Sequence, residues 1–369
     1  MANIFDYVTA QEIAAYITKE TSNAIPYFGE TIFPARKQMG TDISWLTASD
    51  GLPIAIQPSN YDAKATLRER TGFGKMETEM AFFREAMRIG EKDRQELNKL
   101  LNHPNSNIAL PIIKNIFDDV KKLVEGVRAQ AELMRMELLQ GGTINVTGVN
   151  NGAQYKYDYR MENILESETA GWGEDGSNPI QDIMDVQDHV EDKTGVRPTR
   201  LVMNRNTFLK MVNNKTLRGL MLPTWTAAQV AKALITEDQV KQFVESTTQC
   251  KIFVYSKKVA TLGKDGLANT AVSLIKDDKV VFLPEGTVGH TWYGTTPEES
   301  DLMSGATDAN VALVGNSVAV TTYKEKHPVN VLTIVSAVMI PSFEGINDCA
   351  VLSVANKPSR LAEEEQSEE

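Results

Sequence analysis

Between Pro111 and Leu139 the apolar residues Ile113, Ile116, Val120, Leu123, Val127, Ala131, Met134 and Leu138 recur every three or four positions, the spacing of one helix face. Pro111 suits a first helical turn, and Gly141-Gly142 supplies a stop. About 30 residues at ~1.5 Å each give roughly 45 Å of helix, longer than a compact domain normally uses. Charged flanking positions are not sustained, which favours a spine for a flat, elongated subunit over a coiled coil. A second periodic run, "NPIQDIMDVQDHVEDKTG", predicts a helix with Ile183, Val186 and Val190 as its buried stripe. It is followed by the strand "TRLVMN", the helix "RNTFLKMVNN" and a polar, Thr-rich stretch to about Asp238.

The remaining pattern is shorter in period. A helix over Val240 to Ser246 precedes strands at Lys251 to Tyr255, Ala271 to Ile275 and Lys279 to Leu283. The β-branched runs "NVALVGNSVAVTTY", "NVLTIVSAVMIP" and "CAVLSV" make the C-terminal part strand-rich. "TINVTGVNNGAQYKYDYRM" reads as a hairpin turning at Asn150-Asn151-Gly152, with Tyr155, Tyr157 and Tyr159 alternating. No internal repeat is visible, and the element order predicts an α+β chain whose sheets are fed from distant segments.

Two stretches do not read as self-contained: the first is poor in local turns, and the second has too few apolar residues to build a core. Residues 1 to about 45 combine a short amphipathic helix, Ile13 and Ile17 on one side, with the extended "YFGETIFPARKQMGTDISWL", an arm that needs something else to lie on. Next, the β-like runs Pro53 to Gln57 and Lys64 to Thr71 flank the turn-prone "PSNYD", a hairpin expected to project from the body. Its charges alternate in sign: Arg68, Glu69 and Arg70, then Lys75, Glu77 and Glu79.

Composition narrows the function classes. The 369 residues are 42% hydrophobic and 24% charged, an ordinary globular balance with room for two or three subdomains. The N-terminus has neither the basic start nor the apolar core of a secretory signal, and no run approaches the roughly 20 apolar residues of a membrane span, so a cytoplasmic protein is expected. Cys250 and Cys349 have no metal-ligand spacing and read as buried free thiols. With a formal net charge of −11, and five glutamates in the closing "EEEQSEE", the chain is a poor general binder of phosphate backbones. A local basic patch stays open.

Candidate chemistry is sparse. Asp182, Asp185, His189 and Asp192 share one helix at spacings that suggest a metal site, but the wheel sets all four opposite the buried stripe. One flat helix face rarely closes a ligand shell. "TGFGKME" lacks the upstream glycine and the Ser or Thr of a phosphate loop. In "VVFLPEGTVGHTWYGTTPEES" the glycines do not form G-x-G-x-x-G, and His290 sits in a strand-like context. No catalytic, metal or cofactor-binding residue is expected.

The order of parts carries more information than any one of them. "KATLRERTG", "ELLQGGTINVTG", "AGWGEDGSNPIQDIMDVQDHVEDKTGVRPTRLVMNRNTFLKM" and "FLPEGTVGHTWYG", in that sequence, resemble the major capsid proteins of tailed bacteriophages, most closely the lambda major head protein E family. The likeness runs over nearly the whole chain. It implies the Hong Kong phage-type fold: an N-terminal arm (1–45), an extended hairpin loop (46–88), a peripheral domain with the spine helix (89–175), an axial domain (176–287), peripheral long strands (288–345), an axial return strand (346–358) and a disordered acidic tail (359–369).

The resemblance further implies a self-assembling, non-enzymatic shell subunit whose partners are copies of itself, in hexamers and pentamers. The extended loop would meet a neighbour through Lys64, Arg68, Arg70, Lys75, Glu77 and Glu79. A separate scaffold protein is expected, because the arm starts too near the N-terminus for a fused one, together with a portal; a decoration protein stays open. The shell would enclose DNA without sequence-specific binding, contact no membrane, and assemble in the host bacterial cytoplasm into a virion. The alternatives are a cytosolic metal-dependent hydrolase using Asp185 and His189, and an encapsulin-like shell or tail protein of related fold.

Overall fold

The computed structural model describes residues 9–21, 27–47, 74–91, 95, 99, 110–148, 154–167, 170–262, 268–305, 310–315, 317–326 and 329–355. The chain forms two units: Met1–Trp45 with Met76–Met134 and Gly289–Ser342, and Leu46–Lys75 with Arg135–Val288 and Phe343–Glu369.

The first unit is built on a sheet ordered Ala35–Lys37, His290–Tyr293, Val329–Ser342, Val318–Lys326 and Asn310–Val314, with Ala81–Ile89 also paired to Val329–Ser342. Met339 is in register with both Ala81 and Tyr293, which puts those two strands on opposite edges of the central 14-residue strand. Valines of three strands, among them Val314, Val320, Val331 and Val335, form one apolar face.

Onto that face pack Val120 and Val124 of the long helix Leu110–Gly141 and Ile13, Ala14 and Ile17 of the helix Ala10–Thr21. Burial of each isoleucine stabilises the unit by about 1.5–3 kcal/mol. Residues 10–21 therefore lie on their own chain's sheet. This corrects, for that part, the expectation that the N-terminal segment needs something else to lie on.

A second correction follows in the stretch read as extended, where Phe28–Ile32 is a short helix. Five residues carry no readable period, and its support comes from far away in sequence. The Gly29 N–H donates to Glu132 Oε1 at 2.9 Å, Arg128 pairs with Glu30 at 2.8 Å, and Ile32 and Phe33 are buried. A carboxylate at the first amides of a helix offsets their missing partners.

The second unit holds a five-stranded sheet ordered Ile164–Glu166, Ala350–Ser353, Lys279–Leu283, Arg200–Met203 and Lys251–Val254. Residues around Ile164, grouped by sequence with the long helix, are thus built into this sheet through parallel pairing with Val351–Ser353. The helices Pro179–Thr194, Arg205–Asn213 and Glu237–Thr248 contribute Ile183, Val186, Val190, Phe208, Met211, Val240 and Val244 to its core. Pro179–Thr194 is bounded as its sequence dictates, with Asn178 accepting from the Gln181 N–H and Gly195 left-handed at φ 75°.

The polar stretch before Asp238 is not irregular throughout: it holds the short helices Lys215–Met221 and Ala227–Lys232. A hairpin of Lys258–Leu262 with Ala268–Ser273 replaces the single strand expected at Ala271 to Ile275. Thr143–Thr147 pairs with Gln154–Asp158 as expected, and the turn at Asn150-Asn151-Gly152 lies outside the described residues. The long helix is terminated by Gly142, the residue after its last, whose φ is 63° and where an added Cβ would stand 2.4 Å from Met161 Cβ.

Candidate functional site

In the first unit, a buried polar cluster forms where the helix Pro297–Ser304 begins. Thr296 caps it, its hydroxyl accepting from the Glu299 N–H at 3.2 Å, and Pro297 fixes the first turn. Glu298 and Glu299 follow, both buried. Glu298 pairs with Arg84 at 2.6 Å and accepts from Ser336 Oγ at 2.8 Å. Glu299 pairs with Lys37 at 2.6 Å, and the same ammonium donates to Gly294 O at 3.0 Å. Charge-assisted bonds of this length are the strong kind, and breaking one leaves a buried charge without compensation.

Sequence reasoning missed Lys37, Arg84, Glu298 and Glu299. The signal was present for half of them, since Thr-Pro-Glu-Glu is a helix-start signature. Nothing local pairs Lys37 with a carboxylate 262 positions away.

Of the expected loop residues, Lys64, Arg68 and Arg70 lie outside the described residues. Lys75 and Glu77 sit on the strand Gly74–Glu79, and Glu79, at its end, is exposed. That strand pairs with Asp42–Thr47. The strand after it, Ala81–Ile89, is exposed from Arg84 to Arg88.

In the second unit, the helix proposed for metal chemistry is arranged otherwise than its wheel suggested. Asp182 is buried, accepting from Trp172 Nε1 at 2.8 Å and Ser167 Oγ at 2.9 Å. It precedes Val186 by one helical turn, so it flanks the apolar stripe instead of opposing it. Asp185 and Asp192 are exposed, Asp185 accepting from Gln181 Nε2 at 2.7 Å, and His189 is half-buried. Among the described residues no group of three or more His, Cys, Asp and Glu side chains is placed to hold a metal ion.

Gln187, unremarked in the sequence, is fully buried and donates to Pro198 O at 2.8 Å and Thr248 O at 3.1 Å. Cys250 beside it and Cys349 are both buried and free. Burial pushes the Cys250 thiol up to about 11 and raises that of Cys349 further.

The glycine-rich stretch after Leu283 does structural work in both units. In the second unit Arg200 Nε donates to Pro284 O at 2.8 Å, and Gly286 turns with φ 89°. In the first, a Cβ on Gly289 would stand 2.1 Å from Ser342 O and 2.7 Å from Phe33 Cε1. His290 is an ordinary strand residue, its ring 6.1 Å from that of Trp292. The second unit also exposes Leu220, Trp225 and Leu234, the last at 94%.

A family model described as phage major capsid protein E matches residues 9–352. The chain belongs to the phage major capsid protein E family. Solved structures agree on the fold. A prophage protein of E. coli CFT073, described as a capsid protein, is 16% identical with a TM-score of 0.57, covering 94% of this chain and 99% of its own. A phage-related protein of Bordetella bronchiseptica RB50 is 13% identical with a TM-score of 0.54, covering 97% and 100%. The capsid of cyanophage A-1(L) is 12% identical with a TM-score of 0.50, covering 90% and 93%. No curated protein matches the chain.

The α+β architecture is thus the Hong Kong phage-type capsid fold, and this member of the capsid protein E family is a shell-forming structural protein. Its polar clusters fit that role. They fix segments of one chain to one another, as Lys37 and Arg84 do.

Proposed function

We propose that the chain is the major head subunit of a tailed phage or prophage, and that its copies close as hexamers and pentamers into an icosahedral shell around double-stranded DNA. The observation that carries this is the family match across residues 9–352, nearly the whole chain. Closed point-group assembly of one subunit is the usual route by which a chain finds partners for surfaces it cannot bury alone. A net charge of −11 suits a container that must not grip the genome it encloses.

In this reading the subunit performs no catalysis and binds no cofactor. Residues 46–88 act as the extended loop over a neighbouring copy, with Lys64, Arg68, Arg70, Lys75, Glu77 and Glu79 as its contacts. Residues 1–45 are the arm, anchored by the helix Ala10–Thr21. The long helix and the long strands of the first unit's sheet serve in the peripheral domain, and the five-stranded sheet of the second unit with its helices serves in the axial domain. Assembly takes place in the host bacterial cytoplasm with a separate scaffold protein and a portal.

Negative-stain microscopy of the protein, expressed with and without a neighbouring scaffold gene, tests the reading. Spherical shells or six-fold capsomers are expected. A monodisperse small oligomer with hydrolytic activity abolished by Asp185→Ala would overturn it.

A further inference from the structure

Two strands of the first unit, each held to the sheet by its own backbone ladder, carry the cations of this cluster. Ala35–Lys37 is three residues long, exposed at every position, and pairs in parallel with Thr291–Tyr293. Ala81–Ile89 pairs with Val331–Met339, but its residues from Arg84 to Arg88 are exposed, so apolar burial does little for that half. The two strands do not pair with each other directly; their continuations Asp42–Thr47 and Gly74–Glu79 do, and Met80 N donates to Thr41 O at 2.8 Å, so the charge cluster is a second, side-chain link between the two segments.

One element touches both. Glu298 and Glu299 are consecutive in the first turn of Pro297–Ser304, one bonded to Arg84 and the other to Lys37. The carboxylates are buried, at 6% and 8% side-chain exposure, whereas Arg84 and Lys37 are 45% and 30% exposed. The anions are therefore the fixed halves and the cations the removable ones. Arg84 is further steadied by the Phe82 ring, 4.8 Å from its guanidinium carbon.

The turn before the helix is equally constrained. Thr295 N donates to Gly40 O at 3.0 Å, and Gly40 N donates to Thr295 Oγ1 at 3.2 Å. A Cβ on Gly294 would stand 2.6 Å from Gly40 O and 2.8 Å from Val338 Cγ1. The helix start has no slack in which one carboxylate adjusts while the other stays.

We propose that Glu298 and Glu299 form a two-pronged latch that couples the strand Ala35–Lys37 to the strand Ala81–Ile89, so that displacing either strand loosens the other. The physical cause is the penalty on an unpaired buried carboxylate. If Lys37 leaves, Glu299 is stranded in a dry site, and the helix start relieves it by turning toward solvent. That motion carries Glu298 away from Arg84 and Ser336. Losing Arg84 acts in the reverse direction by the same route, because coupling is reciprocal. The latch lies within one copy and does not depend on how copies assemble.

A double-mutant cycle with Lys37→Met and Arg84→Met, read by hydrogen–deuterium exchange on the full-length chain in one assembly state, tests it. Lys37→Met is expected to speed exchange of the amides in 81–89 on the order of tenfold, Arg84→Met to speed that of Gln38 similarly, and the double variant to add little. Should either variant fail to fold, Glu299→Gln removes the charge while keeping the shape and is expected to loosen both strands. Exchange that rises only in the strand carrying the substitution, with additive effects in the double variant or with Glu299→Gln sparing 81–89, overturns the latch.

Discussion

Trp172 donates its indole N–H to Asp182 at 2.8 Å, and the two residues are 0% and 4% exposed. Asn214 donates to the Trp172 carbonyl at 3.2 Å and to Ser177 Oγ at 2.6 Å, so the indole is held at both its ring nitrogen and its backbone. Asp182→Leu leaves that indole N–H and the Ser167 hydroxyl short of an acceptor in the core of the second unit. A loss of about 2–3 kcal/mol is expected in urea unfolding, with Asp182→Asn milder because its carbonyl still accepts. An unchanged midpoint for Asp182→Leu would show that water reaches the site.

Gly289 and Gly286 lie three residues apart and should respond differently to the same methyl group. At Gly289 an added Cβ meets the Ser342 carbonyl at 2.1 Å and the Phe33 ring at 2.7 Å, so backbone has to move. Gly289→Ala is expected to cost about 2–3 kcal/mol through overpacking. At Gly286 the space is open and only the φ of 89° is unfavourable, so Gly286→Ala should cost about 1–2 kcal/mol. Thermal unfolding of the pair measures the difference.

The two thiols give the second unit an alkaline limit. Burial raises Cys250 to about 11 from an ordinary value of 9.0, and raises Cys349 as well. The folded state thus favours the protonated thiols, and this contribution is fully present below pH 9. It is lost as pH rises through about 11 while the unfolded chain ionises. The Cys250 contribution is on the order of 2 kcal/mol. The urea midpoint should fall between pH 9 and 11, and Cys250→Ala should flatten that fall; a slope identical to that of the unsubstituted chain would contradict the assignment.

What could be read from sequence was whatever repeats locally. The long helix announced itself through eight apolar positions, Pro111 and Gly142, and Pro179–Thr194 through Asn178 and Gly195. Phe28–Ile32 could not, because five residues show no period and its stabilising partners, Arg128 and Glu132, lie about a hundred positions away. Asp182 was misplaced because a wheel separates faces by average polarity, and a carboxylate flanking the stripe joins the core once Trp172 and Ser167 supply donors. Register was illegible throughout: nothing near Ala35 indicates parallel pairing with Thr291.

The helix Ala10–Thr21 offers a test of where the N-terminal segment belongs. Ile13 and Ile17 are fully buried against valines of the same chain. Ile17→Ala is expected to destabilise the unassembled subunit by about 2–4 kcal/mol, the range for a large-to-small change in a core. Chemical unfolding of the unassembled fraction measures it. If the segment instead lay on a neighbouring copy, that midpoint would not move and only shell yield would drop.

The extended-loop reading makes the sharpest demand on assembly. Deleting Asn60 to Lys75 removes Lys64, Arg68, Arg70 and Lys75 and leaves in place every residue of the described cores of the two units. Both cores should survive, so the unfolding midpoint should stay within about 0.5 kcal/mol of the full-length chain. Shell formation should be abolished, because a single surface ion pair contributes only about 0–1 kcal/mol and the shell depends on repeating such contacts around every copy. Replacing only the loop cations, Lys64, Arg68, Arg70 and Lys75, by glutamine should weaken shells most at low ionic strength, where the lost pairs are least screened, without unfolding the subunit. Electron microscopy of the deletion variant decides the matter: closed shells of ordinary size would remove the loop, and its charged residues, from the interface.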